Sequence, residues 1–193
     1  TNWNVQVQVK DLICLCYSNL WINDEVINMY FAMLQSYHME QESTANILLI
    51  NSYFWTNLSQ IDTATGSYTF KYQKVKRWFK DGKLQKLGFV DHSTIFDFDT
   101  IIFPMHINDN HWICGILKMK QKQIYFIDSK YDVNPIFYQI IKQYLEAEWK
   151  DKMLNVEQDN DEWKWLKVLS PKQSNSYDCG LFCIACASCV VGH

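Results

Sequence analysis

Apolar and polar residues change their period several times along the chain, and each change marks an element. Residues 5–10, Val-Gln-Val-Gln-Val-Lys, alternate and predict a short edge strand or an extended lead-in. Residues 11–17 are apolar enough for a helical turn. Over residues 25–34, Val26, Ile27, Tyr30, Met33 and Leu34 make one helical face, with Asn23 or Asp24 as the cap. Residues 47–50 read as a short buried strand, and residues 51–58 begin another helix. Residues 63–67 are a loop by composition. Residues 72–79 carry Val75, Trp78 and Phe79 at helical spacing, with Lys76, Arg77 and Lys80 as the solvated face and Asp81-Gly82 as the stop. Strands are expected at 100–104, 111–119 and 123–128. The second is apolar on both alternations, as a central strand is, and the short link 120–122 makes a hairpin with the third. Residues 135–152 form an amphipathic helix, 158–162 a polar loop and 163–169 a last strand. The sum is an α+β chain with a central sheet and helices at both ends.

The stretch from Ser170 to Ala187 divides at Cys179. Before it lie Pro, Ser, Asn, Tyr and Asp, which favour turns. After Gly180 comes an apolar run that reads as a buried helix. Cys179 therefore stands where a polar loop becomes a helix, and a helix N-terminus favours a thiolate over a thiol. Gly180 is expected to let a substrate backbone come close.

Composition narrows the class. The chain has 193 residues, 48% hydrophobic and 16% aromatic, so one domain with a sizeable core is expected. Net charge is -3 with no long basic run, which excludes the footprint of a nucleic-acid binder. No apolar run approaches a membrane span, and no secretory pattern opens the chain. Seven cysteines, an odd number lying in apolar segments, are no disulfide framework. The expected compartment is intracellular, nucleus or cytoplasm. Cys183, Cys186 and Cys189 have a spacing that raises zinc, but on one helix it drifts around the axis, and core packing is the expected role. No cofactor and no metal are expected. The chain runs from Thr1 to His193, ending just after a helix, and is expected to be a single catalytic domain cut from a longer protein.

A nucleophilic cysteine needs a base, and the base needs a group that orients it. His38, His92, His106 and His193 lie in polar or irregular surroundings and are expected to be ordinary surface residues. His111 follows the turn-like Asn108-Asp109-Asn110 and starts the most buried strand. Asp128 ends the next strand, and in a hairpin the start of one strand and the end of the other share an edge. Asp128 can then hold the imidazole in one tautomer. Singly, a structural His and a capping Asp are the simpler readings; beside Cys179 they are not. Gln173 can offer its amide to an oxyanion together with the Cys179 N–H, although a lone Gln in a loop means little.

His111-Trp112, Asp128-Ser129 and the run Pro171-Lys-Gln-Ser-Asn-Ser-Tyr-Asp-Cys-Gly180 resemble the signature of the SUMO-specific (sentrin-specific) cysteine proteases, which process ubiquitin-like proteins. Trp21-Ile-Asn-Asp24 is similar to that family's Trp-Leu-Asn-Asp motif, and 51–58 and 75–78 match in kind. The likeness runs from about Asp11 to Ala187. It implies a papain-like cysteine protease fold, a central mixed sheet flanked by helices, with chain order His-Asp-Cys. It implies His111 as base, Asp128 as orienting carboxylate, Cys179 as nucleophile and Gln173 as oxyanion donor. It implies that Trp21 and Trp112 wall a tunnel over a Gly-Gly tail and that Asp24 contacts the folded part of the modifier. Strand alternation alone sends the Trp112 ring to the face opposite the imidazole. The implied partners are SUMO or a related ubiquitin-like modifier and its conjugates, with no nucleic acid, no membrane and a monomeric state.

One residue and one short segment depart from the family pattern. Lys172 stands where Gln is usual, a change expected to be harmless, and Lys130-Tyr131-Asp132 replaces an apolar residue followed by Gly. The latter bears on modifier preference. Three other readings stand beside the SUMO isopeptidase: the same chemistry on ubiquitin or another Gly-Gly-tailed modifier, acetyl transfer as in some bacterial effectors of the clan, and a non-catalytic modifier-binding domain. The match around Trp21 argues against acetyl transfer, and the filled catalytic positions argue against mere binding.

Overall fold

The computed structural model describes residues 5–17, 19–41, 45–62, 64–80, 82–153 and 162–192. Thr63, Asp81, residues 158–161 of the polar loop and His193 lie outside them. The chain enters through α1 (Val9–Leu12) and a 3-10 turn (Ile13–Leu15). The alternation at 5–10 makes no strand: residues 5–8 are irregular and the helix begins at Val9.

Five strands build the main sheet: β1 (Ile47–Leu49), β4 (Thr100–Ile107), β5 (His111–Lys118), β6 (Gln123–Ile127) and β7 (Lys164–Trp165), in that spatial order. The outer pairs β1–β4 and β6–β7 are parallel and the inner pairs antiparallel, so the sheet is mixed. Between β1 and β4 lie α3 (Tyr53–Leu58), a hairpin of β2 (Ser59–Asp62) and β3 (Ser67–Phe70), α4 (Tyr72–Val75) and α5 (Lys83–Lys86). The hairpin was not expected; polar Gln60, Asp62, Ser67 and Thr69 on its exposed side hide the strand signal. The expected 72–79 helix stops at Val75, and the expected last strand shrinks to two residues.

Each face of the sheet has its own core. Ile113, Leu117, Phe103, Met105, Ile124 and Phe126 pack with α3 and α6 (Pro135–Lys152). Trp112, Cys114, Ile116 and Ile102 pack with α2 (Asp24–Glu40) and α7 (Cys179–Val191). Along β5 the two sets alternate, as the pleat requires. Asn23 caps α2 by accepting the Val26 N–H at 3.0 Å. The buried face of α2 is Val26, Ile27, Asn28, Phe31, Gln35 and His38, whereas the expected Met33 is exposed.

Several residues assigned to the surface are not there. His38 is buried and bonded through Nε2 to the Ala45 carbonyl at 3.0 Å. His92 packs on Phe98 with ring centroids 4.4 Å apart, and His106 stacks on Trp112 at 4.3 Å. Lys76 and Lys80 are not simply solvated; both reach Asp151 on α6, at 2.7 and 2.8 Å. Of the three cysteines that follow Cys179 on α7, Cys183 is buried, Cys186 half-buried and Cys189 exposed, so only the first fully suits a core role. Among the described residues no helix is long and apolar enough to cross a membrane.

Candidate active site

The site forms at one end of the sheet. A hairpin turn delivers His111: Asn108 and Asp109 both have positive φ (52° and 55°), a backbone that Asn and Asp tolerate better than most residues and that suits a tight hairpin. Ile107 pairs with His111 and His106 with Trp112. The hairpin places the imidazole at the first residue of β5, where the backbone is fixed by the ladder on one side.

Asp128 follows β6 directly. Its Oδ1 meets His111 Nε2 at 2.8 Å and also accepts the N–H groups of Lys130 (2.8 Å) and Tyr131 (2.9 Å). Burial disfavours the carboxylate, but the bonds from His111 and the two N–H groups outweigh it and hold its pKa below the ordinary range. Asp128 and His111 are 3% and 5% exposed, so neither is diluted by solvent.

Cys179 arrives from the opposite face as the first residue of α7 and is 2% exposed. Burial disfavours its thiolate. Hydrogen bonding with His111 and with the N–H groups of Trp112 and Gly180 prevails, and its pKa is lowered. With Nε2 on Asp128, the ring nitrogen left for the sulfur is Nδ1. Burial likewise disfavours the imidazolium, but the bonds to Asp128 and Cys179 raise the His111 pKa to about 9. The two shifts are complementary: the geometry favours a thiolate–imidazolium pair over a neutral thiol and imidazole.

The loop before Cys179 is folded by Asn175. Its Oδ1 accepts the N–H groups of Tyr177 (3.1 Å) and Asp178 (3.0 Å), and its Nδ2 donates to Asp178 Oδ2 at 2.7 Å. Sequence reasoning gave Asn175 no role, although an Asn two and three residues before such N–H groups is an Asx-turn signal. Gln173 is half-buried. Its Nε2 donates to the Asn175 carbonyl at 2.8 Å and its Oε1 accepts from Ser129 Oγ at 2.6 Å. Lys172 Nζ donates to the carbonyls of Asp128 (3.2 Å) and Tyr131 (3.3 Å), so this departure from the family pattern closes the turn around Asp128. Neither contact partner is visible in the sequence, because the turn that supplies them lies 44 and 41 residues away.

Trp112 lies on the face opposite His111, as alternation requires. It is 3% exposed, and its Nε1 donates to the Ile22 carbonyl at 2.9 Å. Trp21, next to Ile22, is 46% exposed. Asp24 is half-buried at the start of α2 and accepts from Tyr53 Oη at 3.3 Å. Gly180 is buried, and a Cβ there would stand 3.0 Å from Ile22 Cβ and 3.4 Å from Trp112 Cδ1. The missing side chain thus admits the chain's own Ile22 and Trp112, not a substrate backbone as the sequence suggested. Tyr131 sets its ring edge-on to His111, centroids 5.2 Å apart. Among the described residues no three His, Cys, Asp or Glu side chains gather as a metal ion would need.

Similar proteins share this arrangement's frame. A model of the Ulp1 protease family, C-terminal catalytic domain, matches residues 20–192. Ubiquitin-like-specific protease 1A of Arabidopsis thaliana is 30% identical over 95% of this chain and 34% of its own length. A sentrin-specific protease of Caenorhabditis elegans is 31% identical over 93% of this chain and 23% of its own. The C-terminal Ulp1 protease domain, solved in complex with SMT3, the yeast ortholog of SUMO, superposes with a TM-score of 0.70 at 27% identity, covering 98% of this chain and 73% of that one. The chain spans about a third or less of the two full-length relatives. With nearly all of its described length inside the family model, the chain belongs to the Ulp1 protease family.

Proposed function

We propose that the chain is a thiol protease and isopeptidase that cleaves after the C-terminal Gly-Gly of SUMO, maturing the precursor and releasing SUMO from target lysines. The observation that carries this reading is the buried His111–Asp128 contact of 2.8 Å beside a cysteine at a helix N-terminus. This placement supports a papain-like fold, with the chain order His-Asp-Cys.

In this reading the Cys179 thiolate attacks the carbonyl carbon of the terminal glycine. The carbonyl oxygen takes the charge and is met by the Cys179 N–H and by the second proton of Gln173 Nε2, the first being held by Asn175. His111 gives its Nδ1 proton to the leaving amine as the C–N bond breaks and a thioester forms. Water, losing a proton to His111, then attacks the thioester; the glycine carboxylate leaves and Cys179 is regenerated. Asp128 holds the ring through both steps. Trp21 and Trp112 flank the tail, and Asp24 meets the folded part of the modifier. The triad comes from one chain, which supports action as a monomer, and the cysteines are free thiols, which supports a reducing site in the nucleus or cytoplasm.

A second reading keeps the chemistry and changes the modifier. It is favoured by Tyr131, 55% exposed beside His111 in the segment that departs from the family. Propargylamide probes made from SUMO, ubiquitin and other Gly-Gly-tailed modifiers separate the two. A Cys179 adduct with SUMO alone is expected. An adduct with another modifier alone selects the second reading, and no adduct with any overturns both.

A further inference from the structure

We infer that Ser129 is a positioning residue for the reaction: its hydroxyl fixes which end of the Gln173 amide faces the oxyanion. This rests on the oxyanion role proposed above for Gln173.

Ser129 is buried directly after Asp128, and its Oγ donates to Gln173 Oε1 at 2.6 Å. The other end of the same amide, Nε2, donates to the Asn175 carbonyl at 2.8 Å. The two contacts have opposite polarity. Turning the amide over would set Oε1 against the Asn175 carbonyl, two acceptors with no proton between them. It would also leave the Ser129 hydroxyl without the acceptor it now donates to. Together the partners pin the amide with its N–H end toward the Cys179 loop.

Ser129 is not merely filling space between two loops. The backbones are joined without its hydroxyl: the Gln173 N–H donates to the Ser129 carbonyl at 2.8 Å, and Lys172 Nζ donates to the carbonyls of Asp128 and Tyr131. The Asp128 carboxylate is held by N–H groups of Lys130 and Tyr131. Ser129→Ala therefore removes one bond, the one that restrains the Gln173 side chain. A serine after a catalytic-type Asp reads in sequence as a turn former; here its acceptor lies 44 residues ahead.

A neutral hydrogen bond of ordinary strength holds an orientation by about tenfold, and loss of a whole oxyanion donor costs roughly 10²–10³-fold in kcat. Ser129→Ala should lower kcat by about tenfold with little change in KM. The test is a double-mutant cycle of Ser129→Ala and Gln173→Ala on SUMO–fluorophore cleavage, with the rate of Cys179 alkylation by iodoacetamide measured alongside. Alkylation needs the Cys179–His111 pair and no oxyanion donor. The expected result is that Ser129→Ala lowers kcat alone, costs nothing further once Gln173 is Ala, and leaves alkylation at the wild-type rate. Unchanged kcat in Ser129→Ala, or an equal loss in both backgrounds, overturns the inference. A fall in alkylation that matches the fall in kcat does so too, since it would trace the effect to the Cys–His pair. Wild-type kcat in Gln173→Ala is a different failure: it removes the oxyanion role itself, and this inference with it.

Discussion

His111 and Asp128 are diagonal neighbours across the β5–β6 ladder. The last paired residues are Cys114 and Ile127; were the pairing to continue, Ile113 would face Asp128 and His111 would face Lys130. The two side chains thus share a face and meet one pleat apart, at 2.8 Å. This contact opposes the burial that disfavours the imidazolium and helps raise the His111 pKa to about 9. The reactive pair needs a thiolate and an imidazolium. It is lost on the alkaline side as pH rises through about 9 and His111 gives up its proton, and on the acid side as the thiolate, whose pKa is lowered, takes one. Asp128→Asn should lower kcat by on the order of 10²-fold and move the alkaline limb of the kcat/KM profile, where His111 loses the proton it gives the leaving amine, to lower pH. Values of kcat/KM for SUMO–fluorophore cleavage from pH 5 to 10 check this; an alkaline limb that stays in place denies Asp128 its part.

The proposed tunnel of Trp21 and Trp112 bears on the substrate tail. A wall of indoles leaves room for a chain without Cβ atoms, and misplacement by about 1 Å can cost on the order of 10²-fold in rate. A Gly→Ala change in either tail glycine should therefore strongly reduce cleavage. Trp112→Ala should lower cleavage of the normal tail and narrow its advantage. Values of kcat/KM for both tails with both enzymes measure this, and equal cleavage of Gly-Gly and Gly-Ala tails by the wild type removes the tunnel.

Gly180 lets the first turn of α7 lie against Ile22 and Trp112, 3.0 and 3.4 Å from where a Cβ would be. Two effects compete in Gly180→Ala. Overpacking costs about 1–3 kcal/mol, and a helical Ala gains at most about 1 kcal/mol over Gly. The contact should win, so the melting temperature falls by about 2–4 °C for each kcal/mol of net loss, and activity falls with it as Trp112 shifts. Thermal unfolding followed by circular dichroism gives the sign; a raised melting temperature would mean the site has slack.

Asp151 joins α6 to the segment after α4 through Lys76 and Lys80, with Lys152 at 3.3 Å. Bonds from these lysines hold its carboxyl well below the ordinary range. A depressed carboxylate contributes stability that is full above its unfolded pKa of about 4 and is lost as pH falls from there through its lower folded value. Partly exposed pairs are worth about 0.2–1 kcal/mol each, so Asp151→Asn should destabilise by about 1 kcal/mol at pH 7. The gap from wild type should shrink below pH 4. Urea unfolding at pH 7 and pH 3 tests both halves, and a gap as wide at pH 3 as at pH 7 contradicts the charge explanation.

Sequence reasoning reached the parts of the molecule governed by local chemistry. The helix 135–152 was legible from its period, and Asn134 supplies a cap that accepts the Ile136 N–H. The β5–β6 hairpin was legible because its link is short and polar. What stayed hidden depends on residues far apart in the chain. The buried side of α2 is set by β1 and α7, which brings in Gln35 to bond the Leu49 N–H and leaves Met33 outside. His106 looked like a surface residue, yet register places it directly across from Trp112, where its ring stacks. The Gly180 contact with Ile22 crosses most of the chain and leaves no local trace.

The central claim is that Cys179 is the nucleophile of a SUMO-cleaving enzyme. Its most direct test is turnover of a SUMO–fluorophore substrate by the wild type and by Cys179→Ser, beside a pull-down of SUMO conjugates by each. The hydroxyl replaces the thiol with little change in shape but is a far weaker nucleophile beside the same imidazole. Turnover should vanish in Cys179→Ser while conjugates are still retained. Turnover near the wild-type rate in Cys179→Ser would contradict the account.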